Sequence, residues 1–225
     1  MPTKEFQLSP RLAMCASFVR QGSVAADIGT DHALLPIWLV RNKKAIRAVA
    51  SDINEGPIAV ARRNIQRCGM SELVTTVVAD GLAGIEPEEV TDIIIAGMGG
   101  DLIAAILDAA SWVRSEKYRL ILQPMSHAER LREYLFANGF ALEQEQALRD
   151  SGRVYSVMQA GYGKTAEYRE AMIYGGLLIG NTDEASREYL TRAASALRAR
   201  ADGMRARENE TEAEHLDALA EEILA

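Results

Sequence analysis

The sequence predicts an α/β fold: a mainly parallel sheet covered by helices, closed by an antiparallel hairpin and followed by an all-helical C-terminal segment. Three observations predict it. Over the first two thirds of the 225 residues, short and nearly continuous apolar runs alternate with amphipathic helical spacings, as buried parallel strands and their crossover helices do. After residue 139 two long strand-like runs flank a single turn. From about Thr165 the pattern is helical, with apolar residues seven apart.

The elements follow in order. Residues 23–27 (SVAAD), 46–51 (IRAVAS), 73–79 (LVTTVVA), 92–96 (DIIIA) and 119–123 (RLILQ) are the expected parallel strands. Helical faces lie between them: Ala33, Pro36, Ile37 and Val40; Ile58, Ala61 and Ile65; Leu102, Ile103, Ile106 and Leu107; then Leu131, Leu135 and Phe136. Asn54 can cap the helix that Pro57 helps to start, Gly69 ends it, and Gly139 ends the helix before Phe140. FALEQEQALRDSGRVYSVMQAGY, residues 140–162, predicts an antiparallel hairpin around Asp150-Ser151-Gly152. Such a sheet resembles the Rossmann-like sheet of class I methyltransferases rather than that of nicotinamide dehydrogenases. Leu190, Leu197 and Met204, with Ala193, Ala194 and Ala201 on the same face, then Leu216, Leu219 and Ile223, predict a coiled-coil-like helical hairpin. The expected division is 1–163 for the sheet domain and 164–225 for the helical one.

Apolar residues make up 48% and charged ones 25%, the balance of a soluble globular chain. The longest apolar stretch, IIIAGMGGDLIAAIL, is broken by glycines and Asp101 short of the ~20 residues a bilayer span needs. With no charged-then-apolar leader, the expectation is a cytoplasmic protein with no membrane partner. Cys15 and Cys68 show no CxxC spacing and no nearby His pair, so neither a disulfide framework nor a metal site is expected. No oligomeric state is specified, a monomer being the simplest expectation.

Net charge is −7, unevenly spread. Residues 39–70 hold seven Lys and Arg against Asp52 and Glu55; residues 187–207 hold six Arg against Glu188 and Asp202; residues 208–225 hold seven acids and no Lys or Arg. An Arg-rich helix followed by an acidic one suggests an antiparallel pair with complementary edges. Solvated faces and an RNA-touching role for the arginines are equally open.

Ligands of a doubly wound sheet sit beyond the carboxyl ends of its strands. Strand one ends in Asp27-Ile28-Gly29-Thr30-Asp31-His32, strand two in Asp52-Ile53, strand three in Asp80-Gly81, strand four in Ala96-Gly97-Met98-Gly99-Gly100 and strand five in Gln123-Pro124. No GxGxxG follows strand one, and acids stand where pyrophosphate would be repelled. A carboxylate at the end of strand two can accept both ribose hydroxyls, and one at the end of strand three an adenine amino group. A phosphate-free nucleoside bearing a sulfonium, S-adenosylmethionine, fits. Each residue has a plainer explanation too. Asp27 and Asp31 could cap the helix starting near His32, Asp52 could cap the next, Asp80 could serve an Asx turn with Gly81, and Gly97, Gly99 and Gly100 could only ease packing. His32 alone could be a structural histidine.

Together, DIGTDHALLP (27–36), SDINEGPIAVARRNI (51–65), ADGL (79–82), IAGMGGDLI (95–103), LQP followed by HAERLREYL (122–135) and DSGRVYSV (150–157) resemble the bacterial tRNA adenine-22 N1-methyltransferases, the TrmK family. The resemblance runs over roughly residues 7–160 and, with lower specificity, the helical C-terminal hairpin. It implies an S-adenosylmethionine-dependent tRNA methyltransferase whose helical C-terminal domain helps to hold tRNA. It also implies that Gly29, Asp31, Asp52, Asp80 and Gly81 surround the cofactor, with Gly97, Met98 and Gly99 between its methyl and the target base. Asp27, Ile53 and Gly97 complete the expected cofactor set. Met125 stands where some relatives have Asn.

Adenine N1 carries an in-plane lone pair, so it needs no strong general base. The useful groups are acceptors for the adenine amino group and side chains that fix the attack geometry. The candidates are the carbonyls of Ala96 to Met98 and the carboxylate of Asp31, with His32 or Gln123 positioning the base. Because N1 lies on the pairing edge, the base must be unpaired or extruded. The cations of 39–70 and 187–207 are then the expected phosphate contacts. Two alternatives stay open: a methyltransferase of another RNA or a small molecule, and a non-catalytic RNA-binding or scaffold protein.

Overall fold

Residues 7–163 and 168–225 are described by the structure, a computed structural model. Five strands run parallel: β1 (Ser23–Ile28), β2 (Ala45–Asp52), β3 (Val74–Val78), β4 (Asp92–Gly99) and β5 (Arg119–Ser126). The hairpin of β6 (Phe140–Asp150) and β7 (Arg153–Tyr162) closes the sheet antiparallel to β5, giving the order β3-β2-β1-β4-β5-β7-β6. Its turn places Ser151 and Gly152 both at positive φ, +51° and +76°, as a two-residue hairpin turn requires.

Strand alternation decides which helix packs where. Ile93 and Ile95 of β4 join the core under α4 (Gly100–Ala109) and α5 (Ala128–Ala137), while Ile94 joins the opposite core under α1 (Pro10–Phe18), α2 (Leu34–Arg41) and α3 (Glu55–Arg67). All three isoleucines are fully buried, each contributing roughly 1.5–3 kcal/mol. Helix α1 precedes the first strand. It starts at Ser9-Pro10, where the Ser9 hydroxyl accepts from the Leu12 amide and Pro10 stands in the first turn.

Strands β4 and β5 run three residues further than the apolar runs suggest, to Gly99 and Ser126. Gly97 is skipped in the ladder, which resumes as Met98 against Pro124 and Gly99 against Ser126. A bulge of this kind bends a strand end and re-aims its side chains.

The C-terminal helices are α6 (Ala171–Gly175), α7 (Glu184–Arg205) and α8 (Glu210–Glu222). The expected helix onset at Thr165 and the 163/164 boundary fall at 164–167, outside the described residues. Leu190, Ala194, Leu197 and Ala201 of α7 pack on Ala213, Leu216, Leu219 and Ala220 of α8, the seven-residue stripe read from sequence. The expected complementary edges are realised at one point: Arg205 pairs with Asp217 at 2.5 Å and Glu210 at 3.2 Å. Arg192 and Arg200 of α7 instead line a cavity beside the sheet.

One polar knot ties these helices to the sheet. Arg132 of α5 donates to Glu145 of β6 at 2.6 Å, to Tyr189 of α7 at 2.9 Å, and to the carbonyls of Ile173 and Tyr174 at 3.1 Å. Glu145 also accepts from the Leu177 amide at 2.9 Å. Both charged side chains are fully buried. Among the described residues no helix is long and apolar enough to cross a membrane, and no group of three or more His, Cys, Asp or Glu could hold a metal.

Candidate functional site

The carboxyl ends of β1 to β4 form one rim. With neighbouring strands about 4.8 Å apart, the ends of β1, β2 and β3 lie within roughly 10 Å. The Thr30 amide donates to the Ser51 carbonyl at 2.8 Å, and the Ala79 amide to the Asp52 carbonyl at 3.0 Å, so each strand end fixes the next.

Asp27 closes β1 and is 6% exposed. Its described partner is the Thr30 hydroxyl, which donates at 2.5 Å. Burial pushes its carboxyl up to about 6, the Thr30 hydrogen bond pulls it back, and Asp31 pushes it up again. Gly29 has φ +71°, and a Cβ there would lie 2.0 Å from the Met98 methyl. Only glycine lets the Met98 side chain lie across the first loop.

The capping explanation of Asp31 is not what the structure shows. Helix α2 begins at Leu34 with Ala33 as its cap and no side-chain hydrogen bond, correcting the expected start near His32. His32 and Ala33 are both left-handed, at φ +59°, a conformation that costs a residue with a Cβ about 1–2 kcal/mol and that clusters at functional sites. The double turn throws Asp31 outward: its side chain is 75% exposed, and His32 Nε2 stands 3.6 Å from Oδ1. Asp27 caps nothing either, its hydrogen bond being to Thr30.

Asp52 ends β2 half-buried. One oxygen accepts from the Asn54 amide at 2.8 Å, a local turn that pins the carboxylate while leaving the other oxygen for a ligand. Asn54 stands at the cap position of α3, but its side chain makes no cap bond. Ile53 is 59% exposed beside it. Asp80 is exposed at the end of β3, and Gly81 at φ +54° lies against Ile106, where a Cβ would come within 3.1 Å. A cavity of about 620 Å³ opens there, with Leu82, Ile85, Leu102, Ile106 and Trp112 as its wall: an apolar slot with a carboxylate at its edge suits a flat amino-bearing ring.

At the end of β4, Gly97 has φ +82°, and nothing lies within 4 Å of where its Cβ would point. The space is an open cradle. The Gly97 amide donates to Gln123 Oε1 at 3.1 Å, and the same oxygen accepts from Arg11 Nη1 at 3.1 Å. The Gln123 amide nitrogen donates to the Pro124 carbonyl at 2.9 Å, and the side chain is fully buried. Gln123 therefore reaches the loop and not the open space. Because a peptide is planar and trans, fixing the Gly97 N–H toward Gln123 turns the Ala96 carbonyl the opposite way.

Sequence reasoning gave no role to Arg11, Asp101 or His127. Arg11 binds Asp150 at 2.7 Å as well as Gln123. The Asp101 carboxylate, in the first turn of α4, pairs with His127 Nδ1 and raises that imidazole's pKa. Only the closeness of Asp101 to the glycine loop signals it in the sequence; nothing signals Arg11.

The donor set fits S-adenosylmethionine. Carboxylates end β1, β2 and β3, an apolar slot flanks Asp80, and the glycine cradle over Gly97 is open on the same rim. The comparisons agree with that chemistry. The chain matches the family described as Methyltransferase domain over residues 8–158. It is 41% identical over 177 residues to the tRNA (adenine(22)-N(1))-methyltransferase of Bacillus subtilis, across 78% of this chain and 74% of that protein. The crystal structure of the B. subtilis M1A22 tRNA methyltransferase TrmK superposes with a TM-score of 0.88 at 32% identity, covering 98% of this chain and 100% of that one. A Streptococcus pneumoniae structure solved in complex with S-adenosyl-L-methionine gives 0.84 at 31% identity, covering 97% and 100%.

Proposed function

Because the chain belongs to the tRNA (adenine(22)-N(1))-methyltransferase family, we propose that it transfers a methyl group from S-adenosylmethionine to N1 of adenine 22 in tRNA. The observation that carries the reading is the rim itself: carboxylates at the ends of adjacent strands, Asp31 turned outward and Asp52 with one oxygen engaged locally, beside an open glycine cradle.

In this proposal Asp52 accepts the ribose hydroxyls, and Asp80 with Gly81 and the neighbouring slot receives the adenine ring of the cofactor. Asp27, Gly29, Asp31 and Ile53 line the remainder, and Gly97 leaves room for the reacting centre. S-adenosylmethionine supplies, when bound, a methyl group on a cationic sulfur. The chain's own task is geometry and charge. Positive charge develops on the target ring and its amino group as N1 attacks, so acceptors aimed there lower the barrier. The Ala96 carbonyl, turned by Gln123, and the Asp31 carboxylate are those acceptors. Gln123 is a positioning residue, and Met98, lying over Gly29, bounds the space in which the base must sit. His32, held left-handed, orients the base from the other side.

The same proposal makes residues up to 163 the catalytic domain and 164–225 a tRNA-holding appendage. The place of action is the cytoplasm, where tRNA is found. Purified protein incubated with unmodified tRNA and labelled S-adenosylmethionine should yield 1-methyladenosine at position 22, and a tRNA with guanosine there should accept nothing. Methylation elsewhere, or of another RNA alone, would overturn the substrate assignment; no transfer at all would leave the scaffold alternative.

A further inference from the structure

We propose that the cavity between the closing hairpin and α7 is a nucleotide site, taking an unpaired tRNA nucleotide beside the target adenine. Its phosphate is held by Arg153, Arg192 and Arg200 and its base is laid against tyrosine. This inference rests on the tRNA reading above and deepens it.

The cavity holds about 500 Å³, within the range of small-ligand sites. Pro124 and Ser126 line it, and they are the ladder partners of Met98 and Gly99. It therefore opens one strand spacing, about 4.8 Å, from the glycine loop, within reach of a neighbouring nucleotide. On α7, Tyr189, Arg192, Ala193, Ala196 and Arg200 share one face by their spacing of three and four. The two alanines hollow that face between the arginines.

Charge identifies the occupant. Some arginines nearby are answered within the chain, Arg149 by Glu184 and Glu188 and Arg205 by Glu210 and Asp217; what sets Arg153, Arg192 and Arg200 apart is that all three line one cavity. Among the described residues Arg153 and Arg192 have no ion pair, in a chain of net charge −7. Arg200 lies over the Tyr174 ring at 5.9 Å, and its Nη1 is 3.5 Å from the Tyr174 hydroxyl. Among the described residues Glu129 is the one carboxylate on the lining, leaving an excess of cations that a phosphate would neutralise. Arginine planes and tyrosine rings are the surfaces on which unpaired bases stack.

Full-length Arg153→Ala and Arg192→Ala should each raise the KM for tRNA about tenfold and reduce the salt slope of tRNA binding by about one. S-adenosylmethionine affinity should stay unchanged. Arg192→Lys should recover part of the loss, charge without the planar fork. Lys117→Gln, which removes one cation at the opposite end of the sheet, should change tRNA binding less than twofold. An active enzyme whose KM is as insensitive to Arg153→Ala and Arg192→Ala as to Lys117→Gln would overturn the nucleotide site and leave the methyltransferase assignment standing. A loss from Arg198→Ala as large as from Arg192→Ala would replace the cavity by a diffuse field. Wild-type protein that binds no tRNA would overturn both.

Discussion

Two polar clusters in this chain are built oppositely. At the seam between sheet and helical hairpin, Arg132 and Glu145 are fully buried, and each charge is met by the other and by backbone or tyrosine partners. At the rim of β1 to β3, Asp31 is exposed with, among the described residues, only His32 at 3.6 Å, and Asp52 has one oxygen engaged locally. The first cluster has spent its hydrogen-bonding capacity on the fold, save the Arg132 Nε, which is buried without a described partner. The second leaves carboxylate oxygens that no described group of the chain engages. Where a charge is answered from within, its removal should cost stability; where it is not, its removal should cost binding.

The sharpest way to break that contrast is at the seam. Glu145→Ala leaves Arg132 buried without its carboxylate, which should lower unfolding free energy by about 3–5 kcal/mol, read as a shifted urea midpoint. The Arg132→Met/Glu145→Leu double variant should regain much of that, since an apolar pair carries no desolvation cost. Wild-type stability in Glu145→Ala would mean the knot is not what joins the helices to the sheet.

Asp27 sharpens the comparison from the rim side, being a rim residue that is nonetheless buried. Its folded carboxyl keeps a proton up to about pH 6, whereas the unfolded one releases it near 3.8. Between those values the folded state binds more protons, so stability falls as pH rises through that window, by about 3 kcal/mol in all. Asp27→Asn should remove this slope, seen as a difference between the two proteins' urea midpoints from pH 4 to pH 7. A cationic ligand held beside Asp27 should favour its ionised form, so S-adenosylmethionine binding near pH 6 should release protons, measurable as buffer-dependent binding heat.

Asp52→Ala should show the rim's own signature. Loss of charge-assisted hydrogen bonds to a ribose should weaken S-adenosylmethionine binding about tenfold to a hundredfold. Stability should fall by only about 1 kcal/mol, from the lost Asn54 turn. A titration in which tRNA affinity fell equally would detach Asp52 from the cofactor.

The clusters were unequally legible in the sequence. The acids at the strand ends were visible because alternating apolar runs locate strand ends and the ligand side of such a sheet is fixed by topology. The hairpin turn Asp150-Ser151-Gly152 and the Leu190-Leu197 stripe were visible for the same local reason. The seam was not, because Arg132 and Glu145 belong to different elements and neither residue type announces burial. The outward turn of Asp31 escaped because it depends on His32 and Ala33 at positive φ, which their residue types do not favour. The bulge at Gly97 escaped because it is a property of two strands together. The charge count of α7 and α8 suggested complementary edges, but a count does not say which face each arginine occupies: Arg205 meets α8, whereas Arg192 and Arg200 line the cavity beside the sheet.

The smallest effect tests whether pairing or burial decides stability. Asp101 and His127 answer each other as the seam residues do, yet their side chains are 61% and 62% exposed. The Asp101 carboxylate raises the His127 pKa above its usual 6.5. A raised histidine contributes stability that is fully present below pH 6.5 and is lost as pH rises through the folded value. For so exposed a pair, solvent screening leaves little of it. In Asp101→Asn the His127 ring protons should titrate at lower pH by NMR, while the melting temperatures at pH 5 and pH 8 should stay close to those of the wild type. A melting temperature that falls markedly at pH 5 and recovers its wild-type value at pH 8 would mean that pairing alone, without burial, stabilises this fold, and the distinction between seam and rim would have to be redrawn around partners rather than solvent.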